Sequence, residues 1–109
     1  MILATIRMAI PPQKRSEALK ILRSVKELCR DNPGCFSCHI YRNLHDNKVL
    51  VLEEVWQTEE DLNFHLRSEE YRHLLLLLEL ALKQPEIRFD TISCTTGIET
   101  IEKARSRPR

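Results

Sequence analysis

Residues 48–56 (Lys-Val-Leu-Val-Leu-Glu-Glu-Val-Trp) form the most β-prone stretch of the chain, and it is apolar on both sides. Successive side chains of a strand point to opposite faces. Val49, Val51 and Val55 therefore take one side, and Leu50, Leu52 and Trp56 take the other. Such a strand has to be covered twice, by helices on one face and by something else on the other.

The remaining segments show where the first cover comes from. Residues 2–9 alternate as a strand, with Ile2, Ala4, Ile6 and Met8 opposed to Leu3, Thr5 and Arg7. Pro11 and Pro12 end it, because proline has no amide hydrogen for a ladder. From 13 to 30 the period becomes helical, and Ala18, Ile21, Leu22, Val25, Leu28 and Cys29 form one stripe. Asp31, Asn32, Pro33 and Gly34 are a stop-and-turn signal. Residues 35–43 alternate again, with Phe36, Cys38 and Ile40 on one side and Ser37, His39 and Tyr41 on the other. His45, Asp46 and Asn47 supply the turn into 48–56.

Thr58 followed by Glu59, Glu60 and Asp61 is a helix-capping signature, and the helix it opens carries Leu62, His65 and Leu66 on one side. Ser68 caps a second segment over 69–83, before Pro85, and residues 87–93 alternate as a last strand. The order β-α-β-β-α-β predicts an α+β, ferredoxin-like domain over 1–94. It is a four-stranded antiparallel sheet with helices on one face. Residues 95–109 are expected to be a short polar tail, loosely held. The simplest cover for the bare face is the same sheet of a second copy, so a homodimer is expected.

Composition narrows the partners. The 109 residues hold 17 Lys plus Arg against 16 Asp plus Glu, a formal charge of +1, which argues against a dedicated nucleic-acid binder. The apolar N-terminal stretch is interrupted by Arg7 and has no basic leader, and the leucines at 74–78 stop at Glu79, well short of a membrane span. The expectation is a cytoplasmic protein with no membrane association. Its four cysteines are then reduced thiols rather than a disulfide frame.

Cys35, Cys38 and His39 match the C-x-x-C-H pattern of covalent haem attachment. Positions three apart in a regular strand point to opposite faces, so the match is read as coincidence. The same geometry, and the lack of a second ligand pair, counts against zinc, and no metal site is assigned.

The run Asn32-Pro-Gly-Cys35, the strand holding Tyr41, and residues 53–71 resemble the antibiotic biosynthesis monooxygenase (ABM) domain family. The most specific part is a tryptophan ending a strand, a Ser/Thr helix cap, and a histidine nine residues after the tryptophan. The resemblance spans residues 2–93 and implies a dimeric α/β barrel of two ferredoxin-like protomers, in agreement with the two-sided strand. It implies no single activity: the family includes cofactor-free quinol and polyketide oxygenases, haem-degrading enzymes and a phospho-sugar isomerase.

Departures from those patterns are informative. Leu52 and Leu62 stand where some polyketide oxygenases have asparagine and tyrosine, and Glu70 stands where many members have a second histidine. Neither Arg7 nor residues 74–78 supply the asparagine and haem-ligating histidine of haem-degrading members, so haem degradation is not expected.

The resemblance implies a cofactor-independent monooxygenase for a small electron-rich aromatic, a quinol or polyphenol, with O2 as co-substrate. No flavin, haem or metal is required. His65 would be the base, since an imidazole exchanges protons near neutrality, and Trp56 the wall that orients the ring. Tyr71 and Arg7 would supply polar contacts, and His39 and Tyr41 would line a pocket or the subunit interface. Each has a structural reading as well: Trp56 and His65 as core residues, His39 and Tyr41 as interface packing. The alternative function is an isomerase or a ligand-binding dimer without catalysis. Several cationic groups in the pocket would mark a phosphosugar isomerase.

Overall fold

A computed structural model describes residues 1–106. Strands β1 (Ile2–Ala9), β2 (Cys35–Arg42), β3 (Val49–Trp56) and β4 (Glu86–Thr91) form one sheet in the order β2-β3-β1-β4. Each neighbouring pair is antiparallel. Helices α1 (Arg15–Arg30), α2 (Glu59–Leu66) and α3 (Glu69–Leu78) pack on one face, and α4 (Ile98–Ser106) follows the last strand. This is the ferredoxin-like α+β arrangement read from the periodicities.

The alternation of β1 is realised directly: Ile2, Ala4, Ile6 and Met8 are buried under the helices, while Leu3, Thr5 and Arg7 are half-buried on the open face. On α1, Ala18, Leu22, Val25 and Cys29 are fully buried at i, i+4, i+7 and i+11, one helical stripe. Leu50, Leu52 and Trp56 of β3 complete the core from the sheet side, with Leu74 and Leu77 of α3 above them. Both expected caps are present. Thr58 Oγ1 accepts from the Asp61 amide at 3.1 Å, and Ser68 Oγ accepts from the Tyr71 amide at 3.1 Å.

Three local expectations are corrected. Helix α3 stops at Leu78 rather than running to 83, because the amides of Leu80 and Ala81 turn back to Leu77 and Leu78. The Leu82 amide then bonds the Ala9 carbonyl, so the chain has already turned along the sheet. In β2, alternation breaks between Cys35 and Ser37. Cys35 faces Trp56 and Ser37 faces Val55, which leaves Phe36 as the extra residue of a bulge, more than half exposed.

The third correction is the tail. Residues 98–106 form α4 instead of loose chain, with Glu99 in the first turn and Lys103 and Arg105 in the last, the charge order a helix dipole favours. Glu99 also accepts from the Gly97 amide at 2.7 Å, and α4 buries no residue. Residues 107–109 of the expected tail lie outside the described part. Among the described residues, no helix is long and apolar enough to cross a membrane.

Candidate active site

The run Leu50, Leu52, Glu54, Trp56 lies on the helix side of β3, so its alternation carries a glutamate into the core. Glu54 is 1% exposed. A carboxyl group in that position has to be hydrogen-bonded, and three donors converge on it. His65 of α2, also 1% exposed, places Nε2 at 2.9 Å from Glu54 Oε2. The Cys29 thiol, at the end of α1, donates to the same oxygen at 3.3 Å. The indole N–H of Trp56 donates to Oε1 at 3.2 Å. With the glutamate as a carboxylate, which only accepts, the imidazole N–H would be on Nε2.

Aromatic rings close around this pair. Trp56 lies 4.6 Å from His65 between ring centroids, and Tyr71 of α3 meets the imidazole edge-on at 5.5 Å. Burial pushes the Tyr71 hydroxyl above the usual phenol range, with the Glu54 charge and then Cys29 adding to it. The Cys29 thiol is pushed up most by its hydrogen bond with Cys38, then by burial and the Glu54 charge. Burial also raises Cys35.

One nitrogen is left over. His65 Nδ1 is buried and has no hydrogen-bond partner among the described residues. His65 also lines a cleft of about 410 Å³ between the end of α1 and α2, with Leu28, Pro33 and Phe64 as apolar walls and Asp31, Asn32 and Asp61 as polar ones.

The expected site residues divide between the two faces of the sheet. His65, Trp56 and Tyr71 come together under the helices. Arg7, His39 and Tyr41 lie on the open face, where Arg7 and Tyr41 both sit opposite Val51 and His39 sits opposite Glu53. Arg7 approaches Glu86 at 4.0 Å, and the rings of His39 and Tyr41 are 5.9 Å apart. The sheet itself separates this group from His65.

The geometric argument about Cys35 and Cys38 is overturned by the bulge. With Phe36 looped out, Cys35 faces Trp56 and Cys38 faces Glu54, so both join Cys29 on the helix side. His39 follows on the opposite face.

Glu54 and the grouping of the cysteines were not anticipated from sequence. The available signal for Glu54 was its place in an otherwise apolar stripe, which demands a buried partner, and His65 was the histidine on an apolar helix side.

The sequence matches the antibiotic biosynthesis monooxygenase family over residues 1–75, and the chain belongs to that family. Among solved structures, a conserved protein from Methanosarcina mazei is 27% identical, covering 82% of this chain and 89% of its own with a TM-score of 0.74. A protein from Mycobacterium tuberculosis is 21% identical over 88% of this chain and 98% of its own, with a TM-score of 0.77. A structure described as an antibiotic biosynthesis monooxygenase is 19% identical, covers 86% and 100%, and has a TM-score of 0.75. The last two share the fold. No curated protein matches the chain significantly.

Proposed function

We propose that this chain is a cofactor-independent oxygenase of the ABM type, acting on a small quinol or polyphenol, with His65 Nδ1 as the base. The observation that carries this reading is the Glu54–His65 pair, 2.9 Å apart, with the second imidazole nitrogen left without a partner among the described residues and the His65 residue lining a cleft. Because the Nε2–H is committed to Glu54, Nδ1 keeps its lone pair for a substrate hydroxyl, and the carboxylate stabilises the imidazolium that results. The deprotonated ring is electron-rich enough to reduce O2 itself. For a hydroquinone the balance is one oxygen atom inserted as a new ring C–O bond and one released as water. The ring supplies four electrons as it becomes a hydroxyquinone. Trp56 and Tyr71 hold the imidazole and exclude water from its Glu54 side.

The open sheet face supports a homodimer. Leu3, Val51 and Val55 are only half-covered there, and a second sheet would bury them with Arg7, His39 and Tyr41 at the interface. A cytoplasmic location fits four free thiols. The isomerase alternative is disfavoured by the cleft lining, which among the described residues holds two aspartates and no lysine or arginine to receive a phosphate.

Oxygen consumption with a panel of hydroquinones tests the reading. His65→Ala should lower turnover by roughly 10²–10⁴, the range for losing general acid–base help. Equal turnover by wild type and His65→Ala would exclude this base.

A further inference from the structure

The cluster around Glu54 also has the composition and dimensions of a metal site. Cys29 Sγ, His65 Nε2 and Glu54 Oε2 are separated by 3.7, 3.3 and 2.9 Å, and all three residues are buried. These separations place the three atoms about 1.9 Å from a common centre, and a point roughly 1 Å off their plane is about 2.2 Å from each. Zinc bonds to sulfur, imidazole nitrogen and carboxylate oxygen span roughly 2.0–2.3 Å, so an ion fits with little movement. Cys38 is buried on the same side of the sheet and faces Glu54 across the β2–β3 ladder, outside the three-atom cluster.

We propose that Cys29, Glu54 and His65 form a three-residue site for a thiophilic d10 divalent cation of the zinc class, with the fourth position left to water. The donors come from α1, β3 and α2, so an ion there would tie the helix layer to the sheet. Its charge is balanced within the core, since one carboxylate and one thiolate already neutralise a divalent ion. Each thiol that ligates gives its proton to solvent, so binding tightens as pH rises. Access runs through the cleft beside His65, where Asp31, Asn32 and Asp61 present oxygen atoms to an incoming cation.

This inference does not rest on the oxygenase reading. A metal on Nε2 moves the imidazole proton to Nδ1, so the metal-loaded and proton-accepting states exclude one another. The test therefore reads binding directly and needs no substrate. Full-length protein, reduced and freed of metal with a chelator, is titrated with zinc against a chromophoric competitor, and separately with cobalt(II). The expected result is one ion per chain, with a thiolate-to-cobalt charge-transfer band and the intense visible absorption of tetrahedral cobalt.

Cys29→Ser should weaken zinc binding by more than about 100-fold, beyond the 10–100-fold typical of residues that only support a ligand. Cys94→Ser, which removes an exposed thiol remote from the cluster, should bind as wild type does. Circular dichroism checks that Cys29→Ser is folded, and the wild-type cobalt spectrum decides the matter if it is not. Failure of wild type to bind one equivalent, a cobalt complex without the thiolate band, or equal affinity in folded Cys29→Ser would overturn the proposal.

Discussion

Replacing Glu54 by glutamine tests the arrangement on which the candidate site depends. The side chain keeps its shape but presents one accepting oxygen and one NH2 group. In the native protein, three donors converge on the carboxylate: His65 Nε2–H at 2.9 Å, the Cys29 thiol at 3.3 Å and the Trp56 indole N–H at 3.2 Å. If the NH2 takes the Oε2 position, it faces two donors. The imidazole can restore its bond only by moving its proton to Nδ1, the atom assigned as base. If the NH2 takes the Oε1 position, the indole N–H is left unpaired. Either way one hydrogen bond to a charged group is lost, about 1.5–3 kcal/mol, from a total stability of roughly 5–15 kcal/mol. Glu54→Leu leaves all three donors without an acceptor and should cost more, above about 3 kcal/mol, at about 1–3 kcal/mol for each buried group left unpaired. Urea unfolding followed by the fluorescence of Trp56, the one tryptophan of the chain, reads both values. Nitrogen-15 NMR of the imidazole locates the proton. A wild-type proton on Nδ1, or a Glu54→Leu protein within about 0.5 kcal/mol of wild type, the usual spread of neutral surface changes, would refute the reasoning.

Stability should fall as pH rises past about 8.5, where an unfolded thiol ionises while the folded Cys29 thiol, held protonated by Cys38, burial and Glu54, does not. The contribution is fully present below that pH, and Cys29→Ala should flatten the decline in urea midpoints; an unchanged slope would count against it. Gly34→Ala should destabilise by about 1–3 kcal/mol, because the added methyl collides with the Asp61 side chain at the mouth of the cleft. No glycine has a positive φ, so the effect is steric, and trimming the obstacle with Asp61→Ala in the same chain should recover part of it. Sedimentation at micromolar concentration should show a dimer; a stable 12.8 kDa monomer would remove the second sheet from the account.

Periodicity alone was enough for the four strands, the first three helices and the two caps that start α2 and α3. These depend on local rules: side chains alternate with period 2 in strands and near 3.6 in helices, and a hydroxyl one residue before a helix satisfies a free amide. It also placed His65 and Trp56 on the sides of their elements that became the core. The resemblance to the family was carried by nearby residues too, the tryptophan, the cap and the histidine, and the family match over residues 1–75 bears it out.

What the sequence could not supply were pairings that depend on distance in space. Glu54 reads as a surface charge until β3 is packed, and its partners come from residues 25 positions before and 11 after it. The bulge at Phe36 depends on how β2 registers against β3, and that single extra residue moved Cys35 to the side of Cys38. The grouping of His65 with Tyr71, and its separation from Arg7, His39 and Tyr41, was decided by the sheet lying between them. Local periodicity assigns a side chain to a face, but only tertiary packing determines which faces meet, and the chemistry of a buried site resides in those meetings.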